Sequence, residues 1–200
     1  MARPRSFDEA AVLRAARDTF ATTGYAATSI DEVAAATGLG KGSLYGAFGD
    51  KHQLFLRVFD GYCTDVSEQV AQMLAGPDAE ALQRVRDHVL GVVANTVADT
   101  ERRGCLLARG TSELAGQDTE VAERALRTFE ALEDVLTTCI EKAQRHGDIE
   151  PTADARAFAG MLLAVMRGIE AMGKAGKSEA SLRRIAETAL AALPTTQPTT

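Results

Sequence analysis

Tryptophan is absent from this 200-residue chain, tyrosine and cysteine each occur three times, and proline occurs five times. Each scarcity excludes something. Two of the prolines, Pro194 and Pro198, lie in the last seven residues, so the body is nearly free of helix breakers. Cys63, Cys105 and Cys139 are odd in number and widely spaced, which excludes a disulfide framework and a zinc-type pairing. His52, His88 and His146 stand at no ligand spacing to one another or to the cysteines, so neither a metal nor a cofactor is expected. Few tyrosines and no tryptophan leave no stacking cage for a planar cation. No stretch has 18 uninterrupted apolar residues, so no membrane span is expected. The opening MARPRSFDEA has two arginines but no apolar run behind them, which is not a signal peptide, and a cytoplasmic protein is expected. Carboxylates are plentiful but fall on solvated helix faces. No catalytic pair is legible, and the chain is not read as an enzyme.

What is there is ordinary for a globular protein: 46% hydrophobic and 25% charged residues. The net charge of −6 is unevenly spread. Residues 1–57 hold seven Lys/Arg against six Asp/Glu, net +1, so the remaining 143 carry −7. Within 37–57, Lys41, Lys51 and Arg57 face Asp50 alone, and Arg3 and Arg5 add charge to the N-terminal tail. The local distribution is what a polyanion would meet.

Helical periodicity runs along nearly the whole chain, with no alternating strand pattern. Ser6-x-x-Glu9 predicts a capping box and a first helix with Leu13, Ala16 and Phe20 inward, stopped at Gly24. Ser29-x-x-Glu32 opens a short helix carrying Ile30, Val33 and Ala34, stopped at Gly38. A third short helix follows Leu39-Gly40, with Leu44 and Phe48 inward. Asp50-x-x-Gln53 caps a longer fourth. Long helices then follow: Leu82 to Thr96, Cys105 to Leu114, Val121 to Ala143, Phe158 to Met172, and a last one that Ser178 caps, reaching Leu193. The sum is an all-α protein of about nine helices.

Residues 38–46, GLGKGSLYG, contain four glycines, one lysine and one serine. Such a run suggests backbone brought close to phosphate. A nucleotide loop of the G-x-x-x-x-G-K-[ST] kind fails, because Lys41 is followed by Gly42; G-x-G-x-x-G fails because Ser43 takes the last glycine's place. No strand precedes it either. A short helix, a turn with glycine and a second short helix is instead the helix-turn-helix arrangement. Its outward positions are Lys41, Gly42, Ser43, Tyr45 and Gly46. Each helical glycine costs about 1 kcal/mol relative to alanine, and close approach of DNA would explain two of them.

The stretch from Phe7 to Tyr62 resembles the N-terminal domain of TetR-family transcriptional repressors. The matching residues are Ala15-Ala16 and Phe20 before Gly24-Tyr25, Thr28-Ser29-Ile30-Asp31-Glu32-Val33-Ala34, Gly38-Leu39, Lys41-Gly42-Ser43-Leu44-Tyr45, Phe48, and Lys51 with Leu54-Phe55. The resemblance implies DNA-phosphate contact at Thr28 and Ser29, base-edge contact at Lys41, Gly42 and Ser43, and phosphate contact at Tyr45 and Lys51. Gly40 departs from the pattern where a Ser or Thr N-cap is common, and Gly46-Ala47 where bulkier polar residues often lie. Both departures point to backbone and shape readout.

The resemblance also implies a division into a DNA-binding domain at 1–57 and a helical effector-binding and dimerisation domain at 58–193; the tail at 194–200, PTTQPTT, has no core residues and is expected to be disordered. It implies a homodimer on a palindromic double-stranded operator. The interface would come from the last two helices, through Phe158, Leu162, Val165, Leu182, Ile185 and Ala189. An unidentified small-molecule effector would sit in a pocket near Val89, Val93, Cys105, Phe129, Leu132, Met161 and Met166. Cys105 follows Arg102-Arg103-Gly104 at an expected helix start, features that favour a thiolate, so release by cysteine modification is a second route. The other reading is an all-helical small-molecule-binding protein or enzyme that keeps the fold.

Overall fold

The computed structural model describes residues 7–101 and 103–196. Arg3, Arg5, Ser6, Arg102 and the end of the tail (197–200) lie outside them. Among the described residues there are nine α-helices and one short 3-10 turn, in two compact units.

The first unit combines the chain up to Thr64 with Cys105–Ala125. It holds α1 (Glu9–Thr23), α2 (Ile30–Thr37), α3 (Lys41–Phe48), the start of α4 (Lys51–Leu74), α6 (Leu106–Leu114) and the start of α7 (Thr119–His146). The expected boundary after residue 57 therefore falls inside a continuous helix. Asp8, not Ser6, is the N-cap of α1; its carboxylate accepts from the Ala10 and Ala11 N–H groups at 2.9 and 3.2 Å. The inward face of α1 is Val12, Ala16, Phe20 and Ala21, with Leu13 only half-buried. Phe20, Phe55 and Phe59 form the centre, with Phe20 edge-on to Phe55 at 5.2 Å between centroids and Phe55 stacked on Phe59 at 5.5 Å. Such aromatic pairs add to burial by a favourable ring geometry. Helix α6 reaches this cluster because residue 110 is glycine: a Cβ there would lie 2.7 Å from Phe59 Cε2.

The second unit holds the rest of α4 and α7 with α5 (Ala81–Ala98), α8 (Ala155–Lys174) and α9 (Glu179–Ala191). Helices α5, α8 and α9 pack mutually. Val85, Val89 and Val93 meet a core that includes Leu136, Ile140, Leu162, Met166, Ile169 and Leu182. Each such side chain contributes about 1.5–3 kcal/mol when fully buried. Gly173 lets α8 come against α5; a Cβ there would collide with Thr96 Cγ2. Arg84 closes the end of α4, its Nε and Nη2 donating to the Leu74 and Pro77 carbonyls at 3.2 and 2.9 Å.

Two expectations change here. Ser178 is the N-cap of α9, but its hydroxyl donates to Ser181 Oγ rather than accepting from the helix backbone. Pro194, Thr195 and Thr196, expected in the disordered tail, are held. Thr195 forms an antiparallel bridge to Ile149, the Glu150 N–H donates to Pro194 O at 2.9 Å, and the Thr196 N–H to Asp148 O at 3.0 Å. Backbone groups beside the buried Ile149 need partners, and this segment supplies them. Among the described residues no helix is long and apolar enough to cross a membrane.

Candidate nucleic-acid interface

The α2–α3 pair is set by three local features. Ser29 caps α2 in a reciprocal box: Ser29 Oγ accepts from the Glu32 N–H at 3.2 Å, and Glu32 Oε2 accepts from the Ser29 N–H at 2.6 Å. Hydrogen bonding of its carboxylate to the Ser29 backbone N–H, and then to the Ser29 side chain, holds the Glu32 carboxyl below its ordinary range. Gly38 then turns the chain in the left-handed region (φ 69°), which a side chain would resist. Gly40 starts α3 in extended conformation with no side-chain cap, the loss foreseen at this position. Val33, Leu44 and Phe48 are buried and dock the two helices.

The opposite face of α3 is open. Lys41, Gly42, Ser43, Tyr45 and Gly46 are exposed. Beyond their chain neighbours and the adjacent turns of the helix backbone, no heavy atom of the described residues lies within 4 Å of where a Cβ would stand at Gly42 or Gly46. Lys41 Nζ lies 2.7 Å from Asp31 Oδ1, and that hydrogen bond, with the charge of Asp31, raises the lysine pKa. Lys51 Nζ sits 4.4 Å above the Tyr25 ring, a cation–π geometry. Arg57 donates to Glu9 at 2.8 Å. Thr28 does not join this surface: it is 1% exposed, and its hydroxyl donates to the Gly24 carbonyl. A hydroxyl beside Thr23 Oγ1 and under the α1–α2 turn satisfies backbone instead of facing phosphate. Of the other expected contacts, Ser29, Lys41, Gly42, Ser43 and Tyr45 are exposed and Lys51 is half-buried.

Behind the head stands a group of side chains that the sequence did not disclose. Arg109 of α6 donates to Ala21 O at 2.5 Å and Thr22 O at 2.8 Å, the last carbonyls of α1, and to Glu113 Oε1 at 2.9 Å. Glu113 Oε2 accepts from the Tyr25 N–H at 2.8 Å. Burial alone would raise the Glu113 pKa, but the bonds from Arg109 and from the Tyr25 and Ala26 N–H groups together lower it. His52 Nε2 lies 2.6 Å from Asp118 Oδ2, and Asp118 also accepts from the Glu120 and Val121 N–H groups at the start of α7. An Arg and a Glu four residues apart on a short helix read locally as a surface pair; nothing in their spacing announces partners almost ninety residues away.

In the second unit, a cavity of about 240 Å³ is lined by Met73, Arg84, Asp87, His88, Gly91, Val92 and Asn95. His88 is pushed down to about 4, first by burial and then by the charge of Arg167, so it is neutral at neutral pH. None of the seven expected pocket residues lines this cavity. Val89, Val93, Leu132 and Met166 are core, each at most 3% exposed, and Phe129 and Met161 are half-buried. Cys105 belongs to the first unit, where it is the half-buried N-cap of α6 and receives the Tyr62 hydroxyl hydrogen bond at 3.5 Å. The apolar stripe of α5 fills the core, and its flanking polar stripe faces the cavity. Of the expected interface residues, Leu162 and Leu182 are core at 0% and 1% exposure and Ala189 is buried, while Phe158, Val165 and Ile185 stay half-exposed.

Comparison with known proteins agrees with this architecture. Residues 12–58 match the family described as bacterial regulatory proteins, tetR family, and residues 81–189 match the tetracyclin repressor-like C-terminal domain. The chain is 26% identical over 192 residues to the HTH-type transcriptional repressor ComR of Escherichia coli, covering 96% of this chain and 91% of that one. It is 29% identical over 150 residues to an HTH-type transcriptional regulator of Bacillus subtilis, YezE, covering 74% and 76%. Among solved structures, a cysteine-substituted form of the regulator CifR complexed with 26-bp double-strand operator DNA superposes with a TM-score of 0.80 at 26% identity, covering 96% of this chain and 100% of that one. A regulator from Agrobacterium tumefaciens superposes equally well, at 0.80 and 22% identity, covering 92% and 96%. With both halves matched, a helix-turn-helix head and the helical domain that follows it, the chain belongs to the TetR family of bacterial regulatory proteins and is a DNA-binding transcriptional regulator.

Proposed function

We propose that this regulator is a homodimeric repressor that lays α3 of each protomer into the major groove of a two-fold symmetric operator. The open face of Lys41, Gly42, Ser43, Tyr45 and Gly46 is the observation that carries this reading. Ser29, Tyr45 and Lys51 take phosphates; Lys41 and Ser43 face base edges; Gly42 and Gly46 let the backbone close on the duplex. Two heads double the phosphate contacts and read two half-sites. The half-exposed stripe of Phe158, Met161, Val165 and Met172 on α8, with Ile185 of α9, is the surface that pairs two copies. Release follows when an effector in the helical domain, or modification of Cys105, favours a state whose heads no longer fit the operator.

The test is selection of bound duplexes from a random pool by the purified protein, followed by footprinting over the recovered site. A palindromic footprint whose affinity falls steeply with salt is expected. The absence of any selected sequence at low salt would end this reading.

Two substitutions probe the head. Lys51→Ala removes one phosphate contact. Affinity should fall alike on all sequences, and the slope of log K against log salt should shrink by about one per head; a loss confined to the operator contradicts the role. Asp31→Asn works the other way. It frees the Lys41 ammonium and removes an anion beside the DNA. Operator affinity by fluorescence anisotropy should rise about two- to tenfold with a steeper salt dependence. An unchanged or weaker complex would show that Lys41 does not reach the duplex. The pair is exposed, so thermal stability should barely move.

A further inference from the structure

Helix α6 lies outside the helix-turn-helix sequence, yet two of its side chains hold the segment that joins α1 to α2. Arg109 occupies the C-terminal carbonyls of α1 at Ala21 and Thr22, and Glu113 receives the N–H groups of Tyr25 and Ala26 just beyond. One ion pair, 2.9 Å across, thus grips the turn from both sides. Room for it is built in. Gly24 has φ 88°, and a Cβ there would collide with Glu113 Oε1. From this turn the connection to the DNA face is short and stiff. Thr28 bonds back to Gly24 O, Ser29 opens α2 in its capping box, and α2 carries α3 through Val33, Leu44 and Phe48. Tyr25, whose N–H Glu113 holds, is also the ring under Lys51.

We propose that Arg109 and Glu113 are positioning residues for operator recognition: they touch no DNA, and they set the pose of α2, α3 and Lys51 on which sequence-specific contact depends. The proposal rests on the DNA-binding reading above. Its chemistry is that of a fork. A guanidinium can bond two carbonyls and a carboxylate at once, whereas an ammonium is a point charge that cannot span all three. Base contacts need placement to a fraction of an ångström, while phosphate contacts tolerate more slack. Loosening the clamp should therefore damage specific binding more than non-specific binding.

The experiment uses the full-length protein, its selected operator duplex and a shuffled duplex of equal length. Glu113→Gln keeps size and one acceptor oxygen but loses the charge; Arg109→Lys keeps charge but loses the fork. For each variant the active fraction is titrated at high protein concentration, and Kd is then measured on both duplexes at a temperature well below unfolding. Operator Kd should rise about tenfold or more, with non-specific Kd within about twofold, so that the specificity ratio collapses. Arg109→Lys should retain more of the ratio than Arg109→Met. A merely structural role lowers the active fraction and leaves both Kd values of the folded fraction as in the wild type; that result overturns the proposal, as does a parallel loss on both duplexes. If one variant fails to fold, the other decides. If the wild type selects no sequence, the DNA-binding reading falls and takes the clamp with it; if the wild type selects one and the variants match it, the clamp alone falls.

Discussion

Alanine at both Gly42 and Gly46 should make this protein more stable and its operator complex about a hundredfold weaker. The two effects have separate causes. In the free protein neither site has a neighbour within 4 Å of the added methyl, so nothing is overpacked. Helix propensity then acts alone. It contributes about 1 kcal/mol per glycine removed, a rise in Tm of about 4–8 °C for the pair in a chain of this length. In the proposed complex the same methyl groups stand on the face that approaches the groove. There they hold the helix away and weaken the proposed base contacts of Lys41 and Ser43, each worth about 1–3 kcal/mol of discrimination. Thermal unfolding and operator titration of one preparation check both halves. A folding defect cannot imitate the result, because the signs are opposite. Operator affinity within about threefold of wild type would show that DNA does not lie on this face.

Gly173→Ala should do the reverse to stability, lowering Tm by about 4–8 °C. Propensity again offers about 1 kcal/mol in favour. The new methyl, however, collides with Thr96 Cγ2 and lies 3.3 Å from Leu182 Cδ1. Thr96 is β-branched and stiff, and its hydroxyl is held on Val92 O at 2.7 Å, so it cannot swing aside without cost. Overpacking of this kind costs about 1–3 kcal/mol, occasionally more, and a net loss near 2 kcal/mol is expected. Calorimetry of Gly173→Ala, Thr96→Ala and the double variant forms a cycle. The double variant should recover part of the loss, with the tight Leu182 contact left over. No recovery would mean that the collision at Thr96 is not the cause.

These two cases bear on what a sequence discloses. Gly24, Gly38, Gly42, Gly110 and Gly173 look alike in a one-letter string. The helix stops at Gly24 and Gly38 are legible because periodicity ends there. The bare face at 42 and 46 is legible because apolar Leu44 and Phe48 fix which side points inward. Gly110 and Gly173 are not legible, since what they make room for, Phe59 and Thr96, lies some 50 and 77 residues away. The same limit explains the rest. The Ser29-Glu32 box and the α5 stripe of Val85, Val89 and Val93 follow from local spacing. That Thr28 turns inward, that Asp8 takes the cap expected at Ser6, that Arg109 serves α1, and that Asp87 and His88 rather than Val89 face a cavity are decided by tertiary packing.

The clustering of α6 and the start of α7 with α1–α4 also has a practical consequence for exchanging parts between relatives. The DNA-reading unit is discontinuous in sequence: its two stretches are separated by residues 65–104, which belong elsewhere. A chimera made by grafting the first 64 residues onto another regulator would carry the reading surface but leave behind Gly110 under Phe59, the two side chains at the α1–α2 turn, and the carboxylate facing His52. A transplant meant to move operator specificity intact therefore needs two segments, with residues 105–125 travelling alongside the first.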